Sequence, residues 1–440
     1  MGFFSRGEQK GRALSRRRAI VSVLDIGSTK ICCLVGKLKA APPGEALRGR
    51  SHAIEILGIG HQRSRGIKSG VVVDLDAAEA AVRKTVDAAE RMAGVTVESL
   101  IVTLSAGRLA SETCSAAVAL GARAVADGDI GRVLAAGRRY SVTEGRSVVH
   151  ALPIGYSLDG EGGIADPRQM VGSRLGVDMH VVTADLPPLR NLELAVNRCH
   201  LSVEGMVAAP YASGLSVLID DETELGSAVV DFGGGTTTIA VFTRGHVVHV
   251  DAIAIGGHHI TTDIARGLST RVEDAERLKT MFGSALPGFS DEREMLSVPA
   301  LDADEHELPH QVPRSALTRI IKPRVEEILE LVRDRLNASG FAALFGRRLV
   351  LTGGGSQLNG MAEAARRVLA RNVRLGRPLG IAGLPEVAKG PAFAATVGLL
   401  IYPQVAEMEQ IEAGRDMQFA MTGTGGGYFA RVGNWIRESF

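Results

Sequence analysis

The feature that most constrains the fold of this 440-residue chain is an internal echo. Residues 21–38 read VSVLDIGSTKICCLVGKL, and residues 227–245 read SAVVDFGGGTTTIAVFTRG. Each is a β-branched apolar run ending in Asp, then small residues with Gly and Thr, then a second apolar run. Apolar runs split by a tight glycine-bearing turn fold as antiparallel strand pairs. Two such units predict a duplicated α/β domain with a cleft between the halves. A third strand-and-glycine unit, Arg348–Thr352 followed by Gly353-Gly354-Gly355, lies near the end of the second half.

The turns carry a chemistry. Backbone N–H groups of a small-residue turn cradle phosphate oxygens, and glycine allows close approach. A carboxylate at the strand end is repelled by phosphate, so its useful task is to hold Mg²⁺ through water. Asp25 and Asp231 are therefore expected to face each other across the cleft. Gly27, Ser28, Thr29 and Lys30 form one phosphate wall, and Gly233, Gly234, Gly235 and Thr236 the other. Lys30 either adds positive charge there or lies on the solvent side. Either turn alone is also readable as an ordinary Asx-Gly hairpin; recurrence is what favours a nucleotide. Neither turn fits GxxxxGK[ST], and no GxGxxG opens a helix after a strand, which argues against P-loop and dinucleotide sites. His258-His259 lacks acidic or Cys partners at ligand spacing and reads as structural.

Around these units the pattern predicts a third strand, Ile54–Gly60, and a helix, Leu75–Met92, capped by Asp74 or Asp76, with Val82, Val86 and Ala89 buried. Residues 98–180 hold four short strands (100–105, 113–120, 147–153, 179–183) and a helix, Ile130–Arg139, capped by Asp127 or Asp129. They form a small inserted α/β subdomain. Helices follow near Leu192–Cys199, Tyr211–Leu218, Val272–Phe282, Ser315–Asn337 and Leu358–Ala370. Residues 284–313 are acidic and Pro-interrupted, and are expected to be an exposed insertion. The expected boundaries are a first lobe of 19–97, 181–215 and 391–404, and a second of 216–257 and 315–390, with 258–314 as its outer subdomain. Residues 1–18 are a basic extension, 405–427 a flexible linker and 428–440 an amphipathic tail.

Lys+Arg number 50 against 49 Asp+Glu, so the chain is no general polyanion sink and no nucleic-acid partner is expected. Cys32, Cys33, Cys114 and Cys199 show no metal spacing and are expected as buried thiols in a reducing compartment. No run reaches the ~18 apolar residues of a spanning helix. The basic start is followed by Ala19–Leu24, which stops at Asp25 instead of forming a signal-peptide core, so a cytoplasmic chain is expected. The basic segment itself is open to two readings, disorder or an electrostatic membrane contact. In the tail, Tyr428, Phe429, Val432, Trp435, Ile436 and Phe440 share one helical face, with Arg431, Asn434, Arg437 and Glu438 opposite. An aromatic, Arg-bearing amphipathic helix suits an anionic lipid surface, and docking on its own protein or a partner's groove is the alternative.

With these residues in view, DIGST, DFGGGTTTIAVF and LTGGGSQLNGM resemble the phosphate-1, phosphate-2 and adenosine motifs of the actin-like ATPase superfamily. Within it the chain is similar to the bacterial cell-division FtsA family, through LPIGYSLD (152–159), GGHHITTDIARGL with AERLK (275–279), IIKPRVEEILELV (320–332) and ATVGLL (395–400). The likeness covers roughly residues 20–404 plus the tail, and its specificity lies in the combination and order of the motifs. It implies an actin-like ATPase fold, two duplicated lobes around a nucleotide cleft, with an FtsA-type extra subdomain in place of the actin 1B subdomain. It implies ATP and Mg²⁺ as ligands, Glu276 and Lys279 flanking ribose and adenine, and Gly353, Gly354 and Gly355 behind the purine. As bare chemistry, Glu276 and Lys279 are equally an exposed helix pair. Thr237-Thr238 stands where relatives often place an acidic residue, so at most weak ATP hydrolysis is expected, and no general base is assignable.

The same resemblance implies a peripheral protein on the cytoplasmic face of the bacterial inner membrane at the division site. Its partners would be the C-terminal peptide of the tubulin-like FtsZ, other copies of itself in filaments, and later divisome proteins. Arg314, Arg319, Lys322 and Arg324 are the candidate contacts for that peptide's carboxylates. A small-molecule kinase of the same fold would need a substrate-positioned carboxylate base, for which no candidate stands out. A pilus-assembly or shape-determining actin homologue would lack the tail or the 98–180 block.

Overall fold

The computed structural model describes residues 20–40, 52–105, 108–139, 142–301 and 309–410. The first lobe opens with β1 (Ile20–Ile26), β2 (Lys30–Ala40) and β3 (His52–Arg63), an antiparallel meander. A two-residue-strand hairpin, β4 (Ile67–Lys68) and β5 (Val71–Val72), leads into α1 (Leu75–Ala93). Asp74 caps α1, its carboxylate accepting from the Ala77 N–H. The helix lies so close on β3 that a Cβ at Gly60 would stand 1.9 Å from the Thr85 carbonyl oxygen. Small residues in that seam therefore set the layer spacing. β6 (Ser99–Leu104) then runs parallel to β1.

The inserted subdomain is β7 (Ala110–Ala124), α2 (Asp127–Arg138), β8 (Arg146–Leu158), β9 (Glu161–Ile164) and β10 (Val171–Asp185). Its strands form their own sheet in the order β7-β10-β8-β9. α2 covers it through Ile130, Val133 and Leu134, packed with Leu175, Val177 and Met179. α3 (Leu186–Asn197) and β11 (Ser202–Ala208) return to the first sheet, whose order is β11-β6-β1-β2-β3-β19.

α4 (Ala209–Val217) and α5 (Asp220–Leu225) enter the second lobe, where β12 (Ser227–Phe232), β13 (Thr237–Thr243) and β14 (His246–Ile253) repeat the opening meander. Its outer part follows as α6 (Gly257–Gly267), α7 (Val272–Phe282), β15 (Met295–Val298) and β16 (His310–Pro313). α8 (Arg314–Ala338), β17 (Arg348–Thr352), α9 (Met361–Leu369) and β18 (Asn372–Leu375) complete the sheet β14-β13-β12-β17-β18. β19 (Ile381–Ala382) and α10 (Ala394–Gln410) cross back to the first lobe. β6 against β1 and β17 against β12 are the matching parallel pairs, so the echo in sequence is an echo in topology.

Several expectations need correction. Ser99–Leu104 belongs to the first lobe's sheet, so the inserted sheet starts at Ala110 and not at 98. A short apolar strand looks the same in either sheet, and only pairing decides. α2 is capped at Ala126, whose N–H donates to the Asp129 carboxylate reaching back from the first turn. Residues 284–313 are not simply an exposed insertion: Leu296 and Val298 join the second lobe's core, and Asp291 is 4% exposed. Asp291 accepts from the Gly288 N–H and the Thr318 hydroxyl, so one acidic residue of the run is structural. The helix after Gly355 begins at Met361, with a 3₁₀ turn, Gly354–Gln357, before it. Ile381–Ala382, expected in the second lobe, pairs with β3. The last helix runs to Gln410 with Ala406 fully buried, so no linker begins at 405. Cys32 and Cys33 are buried, burial pushing the Cys32 thiol up to about 12, but Cys114 and Cys199 are only half-buried.

α4 and α10 pack on each other between the lobes, and Gly398 sets their approach. A Cβ there would stand 1.7 Å from the Ala212 carbonyl oxygen. Gly398→Val should therefore destabilise the protein by about 3 kcal/mol, the upper range for overpacking. Gly131→Ala in α2, with nothing within 4 Å of the added carbon, should be neutral or stabilising by up to about 1 kcal/mol. Thermal melts of the two variants check this, and equal midpoints would contradict the packing role given to Gly398.

Candidate nucleotide cleft

The two turns are built alike. In the first, the Gly27 N–H donates to the Lys30 carbonyl at 3.0 Å; in the second, the Gly233 N–H donates to the Thr236 carbonyl at 2.9 Å. Asp25 pairs with Cys32 and Asp231 with Thr238, each one residue before its strand's end. The strand ends meet across the cleft. A Cβ on Gly234 would stand 1.9 Å from the Thr29 hydroxyl, and one on Gly235 2.4 Å from that of Ser28. Only glycine leaves backbone N–H groups accessible at so close an approach, which is the cradle a polyphosphate requires.

Each carboxylate is held by hydroxyls. Asp25 accepts from Thr103 on β6 at 2.8 Å and from Thr396 on α10 at 2.9 Å. Asp231 accepts from Ser213 on α4. One hydroxyl thus comes from each of the two helices that pack between the lobes. Burial pushes the Asp231 carboxyl up to about 6; the Ser213 hydrogen bond and Lys30 oppose this, and the charge of Asp25 adds to it. Asp25 and Lys30 thus both lie within electrostatic reach of Asp231. The Lys30 ammonium does not face solvent. It donates to the Ala392 carbonyl at 2.7 Å and lies 3.3 Å from the Phe393 ring centroid.

The other expected residues gather beside these turns. The Gly257 N–H donates to the Gly233 carbonyl and the His258 N–H to that of Gly234, so α6 starts against the second turn. Lys279 donates to the Gly257 carbonyl at 3.1 Å, the Thr261 hydroxyl at 2.8 Å and the Glu276 carboxylate at 2.7 Å. The pair is therefore not a free surface contact; it locks α7 onto the start of α6. Burial pulls the Glu276 carboxyl up, but Lys279 and Thr261 outweigh it and hold it below its ordinary range. Gly353 has a φ of 83°, and a Cβ there would stand 2.2 Å from Asp231. Gly355 lies on the Phe232 ring in the same way, and Gly354 begins the 3₁₀ turn between.

Thr103, Ser213 and Thr396 escaped the sequence reading. The one signal available for Thr103 was a polar residue inside an otherwise apolar strand; the two helix residues gave none. The four basic residues of α8 do not form one free cationic face. Arg314 is held by Glu294 at 2.8 Å and the Phe282 carbonyl at 2.9 Å, Lys322 pairs with Glu326, and Arg324 with Asp263 and Glu327. Arg319 alone is exposed without a partner among the described residues. The tail residues Tyr428, Phe429, Arg431, Val432, Trp435, Ile436, Arg437 and Phe440 lie outside the described residues.

A carboxylate pair from related strand ends can hold a divalent cation through water, and the glycine turns beside it fit a polyphosphate. Mg²⁺ bound there would neutralise phosphate charge, which is the chemistry these acids suit. Among the described residues no group of three His, Cys, Asp or Glu forms a direct metal cage. No helix of the described residues is long and apolar enough to cross a membrane.

Two lobes with this topology and these facing turns define an actin-like protein. The type IV pilus biogenesis complex PilM-PilN shares the fold with a TM-score of 0.61 and 16% identity, over 88% of this chain and 99% of that one. MreB5 of Spiroplasma citri, solved bound to ADP, does so with a TM-score of 0.51 and 13% identity, over 90% and 99%. The particular family is fixed by sequence. The family described as cell division protein FtsA matches residues 228–398, and the SHS2 domain inserted in FtsA matches residues 106–183, which is the inserted sheet. The cell division protein FtsA of Agrobacterium fabrum is 60% identical over 426 residues, 97% of this chain and 96% of its own length. The chain belongs to the FtsA family of cell division proteins.

The raised carboxyl of Asp231 makes a pH prediction. Unfolded, it would titrate near 3.8; folded, near 6. Between these values the folded chain holds the extra proton, so this group's contribution to stability falls as pH rises from about 4 to above 6. Asp231→Asn cannot ionise and should be more stable than the parent at pH 7.5, by up to about 3 kcal/mol at 1.36 kcal/mol per pH unit. At pH 4 that advantage should vanish. Thermal melts of nucleotide-free protein across this range test it; a difference independent of pH would place Asp231 in a solvated, unstrained setting.

Proposed function

We propose that this chain binds Mg²⁺-ATP between the Asp25 and Asp231 turns and works mainly as an assembling adaptor. In that role it ties FtsZ filaments to the cytoplasmic face of the inner membrane at the division site, forms filaments of its own, and recruits later divisome proteins. The observation that carries the nucleotide reading is the pair of coupled carboxylates, each before a glycine turn closed by the same hydrogen bond. Family membership and the inserted sheet support the division role. The sequence of the tail supports membrane attachment: at helical spacing its only Trp, Trp435, would share one face with Tyr428, Phe429, Val432, Ile436 and Phe440, and Arg431 and Arg437 would fall on the other. Arg319 is the basic residue of α8 best placed for an acidic partner peptide, since its three neighbours are already paired. With Thr237 and Thr238 opposite the second carboxylate, hydrolysis is expected to be weak at most.

Asp231→Ala should weaken Mg²⁺-ATP more than ADP, because the triphosphate depends most on a metal-holding carboxylate. Calorimetric titration of both nucleotides with and without Mg²⁺ tests this, and unchanged ATP affinity would return Asp231 to a structural role. Trp435→Glu should lower binding to anionic vesicles by about tenfold or more, since it removes aromatic burial and adds charge repulsion. Arg431→Glu should give a milder loss that diminishes as salt is raised. Co-sedimentation at two salt concentrations separates the two. A Trp435→Glu protein that still pellets with vesicles but melts lower would mean that the tail docks on its own protein.

A further inference from the structure

Beyond the two turns the cleft widens into a cavity of about 340 Å³, lined by Ser28, Lys68, Ser69, Gly235, His258 and Arg266 among others. Ser28 and Gly235 belong to opposite phosphate turns, so the cavity adjoins both of them. Its first-lobe wall is the β4–β5 hairpin, and its second-lobe wall is the outward face of α6. The hairpin is not a loose loop. The Gly70 N–H donates to the Ser28 hydroxyl at 2.9 Å, and a Cβ on Gly235 would stand 3.0 Å from the Ser69 Cα. An ion pair, Arg63 with Glu273 at 3.0 Å, also spans the lobes.

The charge of this cavity is lopsided. Its one carboxylate, Asp263, is already taken by Arg324 at 2.5 and 3.1 Å. Lys68 and Arg266 remain, both exposed and neither with an ion pair or hydrogen bond among the described residues. They come from opposite lobes. Lys68 is near enough to His258 on α6 for its charge to oppose protonation there, which places the ammonium at the lobe junction. Two unpaired cations lining one cavity repel each other weakly across water, and an anion between them would be attracted by both.

We infer that Lys68 and Arg266 form a cross-lobe clasp for the terminal phosphate of a nucleoside triphosphate. The inference rests on the nucleotide reading above and adds to it the means of distinguishing three phosphates from two. A diphosphate would be held by the turns alone, and a third phosphate would reach Lys68 on the hairpin and Arg266 on α6.

The test uses the full chain and calorimetric titration of Mg²⁺-ATP and Mg²⁺-ADP against the parent, Lys68→Ala, Arg266→Ala, the double variant and Lys68→Arg. Both positions are exposed, so equal melting temperatures are expected and are checked first. Each alanine variant should weaken ATP about tenfold while moving ADP less than about twofold, and Lys68→Arg should keep most of the parent's preference. Inorganic phosphate added to the ADP-bound parent should bind more weakly in the alanine variants, which separates a clasp for phosphate oxygens from a contact with the base or sugar. If the parent binds both nucleotides and the variants keep its ATP-to-ADP ratio, the clasp is wrong and the nucleotide reading stands. If the parent binds neither nucleotide, the nucleotide reading fails and the clasp falls with it.

Discussion

The cleft depends on how two carboxylates are held at the ends of two central strands. An Asp at a strand end is easily tolerated in solvent, but here Asp231 is buried at the junction of the lobes within reach of the charge of Asp25. Burial and that charge both oppose its ionisation. The fold answers with hydroxyl donors, Thr103 and Thr396 on one and Ser213 on the other, and with the Lys30 ammonium close by. Asp231 is left imperfectly stabilised, with its carboxyl pushed up to about 6. A site that holds one acid partly against its preference is predisposed to accept a cation.

The hydroxyls matter also for where they come from. Ser213 lies on α4 and Thr396 on α10, the helices whose backbones approach closely enough to require Gly398. Any change in the crossing of these helices moves a donor on each carboxylate. Lobe orientation and cleft electrostatics are therefore linked through a single helix pair. The contacts between lobes add to the same linkage at the surface: Gly234 against Thr29, Gly235 against Ser28, and Arg63 with Glu273. A polyphosphate wedged between such surfaces would meet backbone N–H groups on both sides and cations beyond them.

The inserted sheet shows a different logic. It has a core of its own, with α2 against Leu175, Val177 and Met179, and it displaces no strand of the first lobe. β6 leaves the first sheet for it, and α3 with β11 brings the chain back. The chain departs for the insertion just after Thr103, whose hydroxyl donates to Asp25, so the inserted sheet is rooted beside the first carboxylate.

What the sequence determined by itself was the duplication. Strand, Asp and glycine turn recur in two places because a turn that lets two lobes touch leaves few residue choices, and those choices show in one dimension. The hairpins, α1, α7 and α8 followed from local periodicity for the same reason. What tertiary structure alone decided was membership and partnership. Ser99–Leu104 reads as a strand in any sheet, and its parallel pairing with β1 assigned it to the first lobe. Leu296 and Val298 sit in an acidic, proline-broken stretch, yet they are buried in the second lobe's core. Lys30 could have faced solvent, and Ala392 and Phe393, more than three hundred residues away, drew it inward. Arg314 and Arg324, candidate peptide contacts by sequence, are held by Glu294 and Asp263 from elsewhere in the second lobe. Local pattern fixes what a segment can become; long-range contacts, which leave no periodic trace, fix which neighbour neutralises, buries or turns each side chain.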